Sequence, residues 1–360
     1  LIDDPAYLGV RQQRLKGEAY LAFMDRFVDA IAKRYPNVIL QWEDLSKDTA
    51  FTVLERYRKK IASFNDDIQG TGAVALAGVI CACKQRGEAM RDQRIVVYGA
   101  GAGGAGVASA IRDGLVREGL SAREALARIY VLDSKGLLVE GRAMEEYKRV
   151  FAKAPSEIAG WGAGAAPSLL ETIRHAKATV LLGLSGQPGT FAAEHVRAMA
   201  ANTARPVVFP LSNPTTSCEA TPEDILAWTN GKAIVATGSP FEPVDVGGKH
   251  VAIGQGNNAF IFPGLGFGAV LANVREITDG MVMAASIALA DYTAEKYLEA
   301  GLIYPPIEDL REVSIRVAVR VIAQAFADGV ATTKKVTPAD AEPYVRKHFW
   351  HPRYLPFVRG

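Results

Sequence analysis

The sequence predicts an α/β fold, a doubly wound parallel sheet preceded by a mostly helical segment and followed by C-terminal helices. Three observations carry this. Short apolar runs at 95–98, 129–132, 179–182, 207–211 and 233–236 have the length and composition of strands buried on both faces. Between them, 104–118, 169–175, 192–201 and 222–229 carry helical spacing, and strands alternating with helices are the pattern of βαβ units. On either side of this stretch the alternation stops and helical periodicity takes over.

Taken in order, residues 18–35 place Tyr20, Phe23, Met24, Phe27 and Ile31 at helical spacing, and 49–61 forms a second such segment. Between them, 38–42 reads as a short buried strand that ends at Glu43-Asp44. Residues 69–85, rich in Ala and Gly, read as a tightly packed apolar helix. After the alternating stretch, 268–328 returns to long helices, divided by Pro305-Pro306. The aromatic and proline-bearing tail, 348–360, is expected to dock on the surface or on a neighbouring subunit.

Composition bounds the function. The 360 residues allow two domains, and 49% hydrophobic with 22% charged residues excludes extensive disorder. A net charge of +2 provides no concentrated basic surface, so no nucleic-acid partner is expected. The uncharged stretch 251–274 contains Gln255, Asn257, Asn258, Pro263 and several glycines, which argues against a membrane span. Cys81, Cys83 and Cys218 are too few for a disulfide framework, and residues two apart on a helix cannot clamp a metal. A reduced, cytoplasmic compartment fits this cysteine usage. The start at Leu1, without signal-like features, reads as a piece of a longer protein.

Directly after the strand at 95–98 comes Gly99-Ala100-Gly101-Ala102-Gly103-Gly104-Ala105-Gly106, opening a helix. The string satisfies G-x-G-x-x-G from Gly99 and again from Gly101. That pattern supplies a tight turn, close backbone approach to a pyrophosphate, and free N–H groups at a helix N-terminus. Packing alone can also select such glycines, so the context matters. Here the next strand ends in Asp133, where a carboxylate can accept ribose hydroxyls. The interval from Gly104 exceeds the usual ~20 residues, and 118–124, a helix stop and a new capped start, accounts for the excess. The sheet is therefore expected to be Rossmann-like. Asp133 disfavours the additional phosphate of NADP, whereas Ser134 and Lys135, with Lys148 and Arg149 nearby in sequence, would welcome it. NAD and NADP both remain open.

Two acidic doublets, Glu43-Asp44 and Asp66-Asp67, each interrupt an apolar run, which places them at the edge of the core rather than on a solvated face. Converging carboxylates without matching basic residues suit a hard divalent ion such as Mg²⁺ or Mn²⁺. Neighbouring strand residues point to opposite faces, so Glu43 and Asp44 can share an ion only if the strand bends or ends there. The five histidines show neither zinc nor Ser-His-Asp spacing. Leu211-Ser212-Asn213-Pro214 and Gly254-Gln255-Gly256-Asn257-Asn258 contain ordinary turn residues. At the C-terminal ends of parallel strands, however, carboxamides also face the ligand crevice. Leu182-Gly183-Leu184-Ser185-Gly186 occupies an equivalent strand end.

Together these strings resemble the malic enzyme family. The resemblance rests on Leu40-Gln41-Trp42-Glu43-Asp44, Phe64-Asn65-Asp66-Asp67-Ile68-Gln69-Gly70-Thr71 and the Gly99–Gly106 loop, then on Asp133-Ser134-Lys135-Gly136-Leu137 and the two asparagine strings, in the family's order. It implies oxidative decarboxylation of (S)-malate to pyruvate and CO₂ with NAD or NADP and Mg²⁺ or Mn²⁺, in a homo-oligomer, dimer or tetramer. By position, Glu43, Asp44 and Asp67 would ligate the metal. Asp66 would orient a catalytic lysine, and Asn213 and Asn258 would contact substrate or nicotinamide. Cofactor contacts are expected from Asp67, Thr71, Gly99, Gly101, Ala102, Gly103, Gly104, Asp133, Ser134, Lys135, Ser185, Gly186, Asn213 and Asn257. The implied domains are 1–88, the C-terminal part of the metal and substrate domain, then 89–258 for the dinucleotide and 259–360 for helices packing back on the first segment.

The family's acid–base tyrosine and lysine, with a substrate-binding arginine, belong upstream of the string Asp4-Pro5-Ala6-Tyr7-Leu8-Gly9, so no residue here is assigned to them. The expectation is a chain that holds metal and cofactor sites but does not turn over alone. Three other readings stay open. A malolactic-type enzyme would release lactate, an amino-acid dehydrogenase would use lysines in place of paired carboxylates, and a dinucleotide-sensing module would bind without malate chemistry.

Overall fold

The computed structural model describes residues 2–46, 49–162, 164 and 166–358. Near the N-terminus, α1 (Gly17–Arg34) turns Met24 and Val28 inward, followed by β1 (Leu40–Trp42), α2 (Ala50–Tyr57) and β2 (Ser63–Asn65). Strands β1 and β2 pair in parallel, Leu40 beside Ser63 and Trp42 beside Asn65. Trp42, Val53, Tyr57 and Ile61 close a small core over Met24 and Val28. One wide turn of π-type backbone, Asp66–Gly70, then runs straight into α3 (Thr71–Arg86), which is buried on nearly every side.

The βαβ stretch forms as the alternation predicted. It comprises β3 (Ile95–Tyr98), α4 (Ala102–Arg117), α5 (Ala122–Ala127), β4 (Ile129–Asp133), β5 (Gly136–Leu137), α6 (Glu146–Arg149), α7 (Leu169–Ala176) and β6 (Val180–Gly183). It continues through α8 (Ala193–Asn202), β7 (Val207–Pro210), α9 (Pro222–Trp228), β8 (Ile234–Thr237), the hairpin β9 (Val244–Val246) and β10 (Lys249–Val251), and β11 (Gly254–Gln255). The described residues form a seven-stranded sheet in the order β11-β8-β7-β6-β3-β4-β5, parallel except for β5. From β3 the chain builds outward to β4 and then returns past β3 to β6, so the direction of growth reverses between β3 and β6. In open α/β sheets this reversal opens the ligand crevice.

Strand alternation sorts the two faces. Ile95, Val97, Val180, Leu182, Val207 and Phe209 enter a core with α3, α4 and the C-terminal helices α10 (Phe262–Ala272), α11 (Asp279–Lys296) and α12 (Leu310–Ala327). Val96, Leu181 and Val208 face the opposite core, under α7, α8 and α9. Removing one such side chain, as in Leu181→Ala, typically costs about 2–5 kcal/mol. The final helix, α13 (Ala341–His348), packs on the first face through Ala341 and Val345.

Several expectations change in detail. The second helix stops at Tyr57, short of residue 61. The strands β2, β5, β9, β10 and β11 were not anticipated, because two or three residues carry no readable period. The interruption at 118–124 is as read: Gly119 adopts φ 99° and Ser121 starts α5 in a capping box with Glu124. The stretch 251–274 is divided between a strand end, β11 and α10, and among the described residues no helix is long and apolar enough to cross a membrane. Among the described tail residues, docking on the chain's own surface is confined to the start. Phe349 packs edge-on against Phe267, but 351–358 are exposed throughout, because prolines at 352 and 356 keep this stretch out of any helix.

Candidate functional site

The acidic group is assembled by the ends of β1 and β2. Beyond the buried Trp42 the chain leaves the strand, and Asp44 adopts φ 52°, the bend required for Glu43 and Asp44 to face one point. The parallel partner β2 runs at the same level into the π-type turn and delivers Asp66 and Asp67. Asn65 secures that turn, its Oδ1 accepting the Ile68 N–H at 2.8 Å. Asp67 Oδ2 accepts the Asp44 N–H at 3.0 Å. One oxygen from each of Glu43, Asp44 and Asp67 lies within 4.8 Å of the other two. Burial, then the charge of Glu43, hold the Asp67 carboxyl above the usual carboxylate range, and the neighbouring charges acting on it are all negative. An all-oxygen, all-anionic donor set of this kind fits a hard divalent cation.

Asp66 lies deeper, 3% exposed. Its Oδ2 accepts from Asn258 Nδ2 at 2.9 Å, and the same amide lies 3.0 Å from Thr71 Oγ1. Residues separated by nearly the whole sheet domain thus meet at one point. Burial raises the Asp66 carboxyl to about 6, against the opposing effect of the Asn258 hydrogen bond. Its other oxygen, Oδ1, is buried without a hydrogen-bond partner among the described residues.

The glycine loop lies alongside. Gly99 adopts φ 114°, and a Cβ there would fall 2.3 Å from the Leu184 carbonyl oxygen. A Cβ on Gly104 would fall 1.6 Å from the Gly99 oxygen, whereas Gly101 faces open space at the start of α4, as backbone approach to a ligand requires. Helix α4 also crosses the π-type turn closely: a Cβ on Gly106 would meet the Ile68 oxygen at 2.3 Å. This crossing sets the carboxylates beside the N-terminus of α4, with its positive dipole end and free N–H groups.

The other predicted residues occupy strand ends. Asp133 closes β4, its Oδ1 accepting the Lys135 N–H at 2.8 Å and its Oδ2 paired with Arg142 at 2.6 Å. Lys148 and Arg149 are engaged elsewhere, with Glu145 at 2.8 Å and Glu146 at 2.7 Å, while the side chains of Ser134 and Lys135 are exposed. Ser185 and Gly186 follow β6, and the exposed Asn213 follows β7. Asn257 caps the short turn before α10, its Oδ1 accepting the Ala259 N–H at 2.8 Å. Two residues escaped the sequence reading, Arg142 and the buried Glu219. Neither belongs to a periodic pattern or a motif, and only the folded chain shows their partners.

Comparison with known proteins follows this geometry. Residues 68–326 match the family model described as malic enzyme, NAD binding domain, and residues 1–58 match malic enzyme, N-terminal domain. The NAD-dependent malic enzyme of Pseudomonas syringae pv. tomato is 43% identical over 364 residues, covering 100% of this chain and 64% of that protein. That of Pectobacterium atrosepticum is 44% identical over 361 residues, covering 99% and 63%. The chain thus spans somewhat less than two thirds of these relatives' length. Among solved structures, Entamoeba histolytica malic enzyme superimposes with a TM-score of 0.76 at 27% identity, covering 94% of this chain and 64% of that one. The malic enzyme from Pyrococcus horikoshii Ot3 gives a TM-score of 0.69, also at 27% identity, covering 90% and 69%.

Proposed function

This chain belongs to the malic enzyme family, and from that premise we propose that the protein it forms part of converts (S)-malate and NAD⁺ to pyruvate, CO₂ and NADH, using Mg²⁺ or Mn²⁺. The observation that carries the reading is the convergence of Glu43, Asp44 and Asp67 beside the N-terminus of α4. NAD is favoured over NADP by the NAD-dependent malic enzymes this chain resembles and by the Asp133 carboxylate at the end of β4.

In this reading Glu43, Asp44 and Asp67 hold the ion, the α4 N-terminus receives the pyrophosphate, and Asp133 accepts from the adenosine ribose. Asn213 and Asn258 orient substrate and nicotinamide from the far side of the crevice. When bound, the dinucleotide supplies a two-electron acceptor and the divalent ion a Lewis acid worth several kcal/mol. Asp66 offers its unpartnered Oδ1 to a cationic donor such as a lysine ammonium, whose charge would offset the burial that holds this carboxyl above its usual range. Removal of the malate hydroxyl proton and protonation of the three-carbon product need a general base and a general acid, each worth ~10²–10⁴-fold. Neither role is assigned to a residue here. The exposed Tyr354, Leu355, Phe357 and Val358 support a homo-oligomer in which another subunit covers them.

The test is an assay of a protein extended upstream, with malate, NAD⁺ and Mn²⁺. Pyruvate and NADH are expected in equal amounts, together with loss of both in Asp67→Asn. Release of lactate, or activity indifferent to Mn²⁺ removal, would overturn the reading.

A further inference from the structure

Glu219 is 0% exposed, and its partners are neutral donors rather than a cation. Oε1 accepts the Ser185 N–H at 2.8 Å, the Ser185 hydroxyl at 2.8 Å and the Ser212 hydroxyl at 2.6 Å. Oε2 faces the Ser212 N–H at 3.4 Å. A carboxylate taken out of water is tolerated when hydrogen bonds replace its hydration, and this one is supplied by the two loops that leave the neighbouring strands β6 and β7. Ser185 follows β6 and Ser212 follows β7. Gly186 N–H also donates to Ser212 Oγ at 2.9 Å, which closes the loops on each other around the carboxylate.

The strand end is shaped for this group. A Cβ on Gly183, the last residue of β6, would fall 2.6 Å from the Glu219 carboxyl carbon, so the carboxylate occupies the space a side chain would need. One residue further, the Leu184 backbone abuts Gly99, the first glycine of the phosphate-type loop. Glu219 therefore sits behind the half of the crevice formed by β6 and β7. Asp133, with its partner Arg142, lies on the other side of β3.

We propose that Glu219 is a positioning residue for the nicotinamide half of the dinucleotide. Its carboxylate sets the spacing of the loops that carry Ser185, Gly186 and Asn213, and the adenosine half is independent of it. This rests on the dinucleotide reading above. Because each carboxylate oxygen faces a backbone N–H, a glutamine must turn its own amide N–H₂ toward one of them. Glu219→Gln thus preserves volume and burial but forces the loops apart. Ser212→Ala removes one donor and the contact to Gly186 while leaving the charge in place.

The experiment titrates the 360-residue chain, Glu219→Gln and Ser212→Ala with NAD⁺ and, separately, with AMP, the adenosine half alone, and records circular dichroism and thermal unfolding alongside. Expected is NAD⁺ binding about tenfold weaker in Glu219→Gln and about threefold weaker in Ser212→Ala, with AMP affinity within about twofold of the parent. NAD⁺ affinity unchanged in both variants would overturn the proposal. So would a parallel loss of NAD⁺ and AMP affinity, the mark of a general structural defect. Should Glu219→Gln fail to fold, Ser212→Ala decides by the same criteria. A parent chain that binds neither NAD⁺ nor AMP would overturn the dinucleotide reading itself and the proposal with it, an outcome distinct from binding that the variants leave unaltered.

Discussion

Asp66 and Glu219 are both buried acids at the rim of one crevice, yet their surroundings are opposite. Glu219 has donors on both oxygens, drawn from two loops of the same domain. Asp66 has Asn258 on one oxygen and, among the described residues, no partner on the other, with Glu43 and Asp67 adding like charge. A satisfied buried acid is part of the scaffold. An unsatisfied one leaves an acceptor open to a further donor, because a buried acceptor without a donor costs about 1–3 kcal/mol.

That contrast breaks most readily in stability measurements. Glu219→Ala strands several donors at once and opens a cavity, so denaturant unfolding should show a loss of about 4 kcal/mol or more. Asp66→Asn, at an acid already penalised by burial, should change stability by less than about 1 kcal/mol or raise it. Equal losses in the two variants would remove the distinction between scaffold and site.

A buried cation extends the comparison. Lys153 is 5% exposed, with Nζ donating to the Leu126 carbonyl at 2.6 Å and lying 4.5 Å from the Tyr130 ring centroid. Burial pulls its ammonium down to about 8. Between that value and the ~10.4 of an unfolded lysine, the unfolded chain holds a proton that the folded chain has released. Stability should therefore rise with pH through this window, and the penalty is fully present below it. Lys153→Met should raise stability at neutral pH by about 2 kcal/mol and flatten the alkaline rise; an unchanged pH slope would show that the hydrogen bond and the ring offset the burial.

The smallest effect concerns the trio of Glu43, Asp44 and Asp67. Without a cation, Asp67→Asn relieves repulsion with Glu43 and Asp44 while its side-chain oxygen still accepts the Asp44 N–H. Melting temperature should rise by a few degrees at low salt, up to about 1 kcal/mol, and less at high salt. A fall would mean that favourable contacts of the Asp67 carboxylate outweigh its repulsion with Glu43 and Asp44.

How much was legible in the sequence follows from what each feature depends on. Strands β3, β4, β6, β7 and β8 are continuous apolar runs between helices, so local pattern sufficed. Gly99, Gly104 and Asp44 were readable because a turn, a close approach and a strand end each restrict the backbone. Beside Asp133 the sequence pointed to Ser134 and Lys135, with Lys148 and Arg149 in support; the fold adds Arg142 on the Asp133 carboxylate, while acidic neighbours hold Lys148 and Arg149. Glu219 was invisible because its partners come from strand ends that only sheet order makes adjacent. The π-type turn, too, leaves no periodic trace, though it aims Asp66 and Asp67 at different targets.

The most direct test of the metal assignment is a Mn²⁺ titration of the 360-residue chain, followed by electron paramagnetic resonance, with Asp67→Ala in parallel. Saturable binding of one ion per chain, weakened at least ~100-fold in the variant, is the expected result. Absence of saturable binding, or equal affinity in the two proteins, would contradict the assignment of Glu43, Asp44 and Asp67 as its ligands.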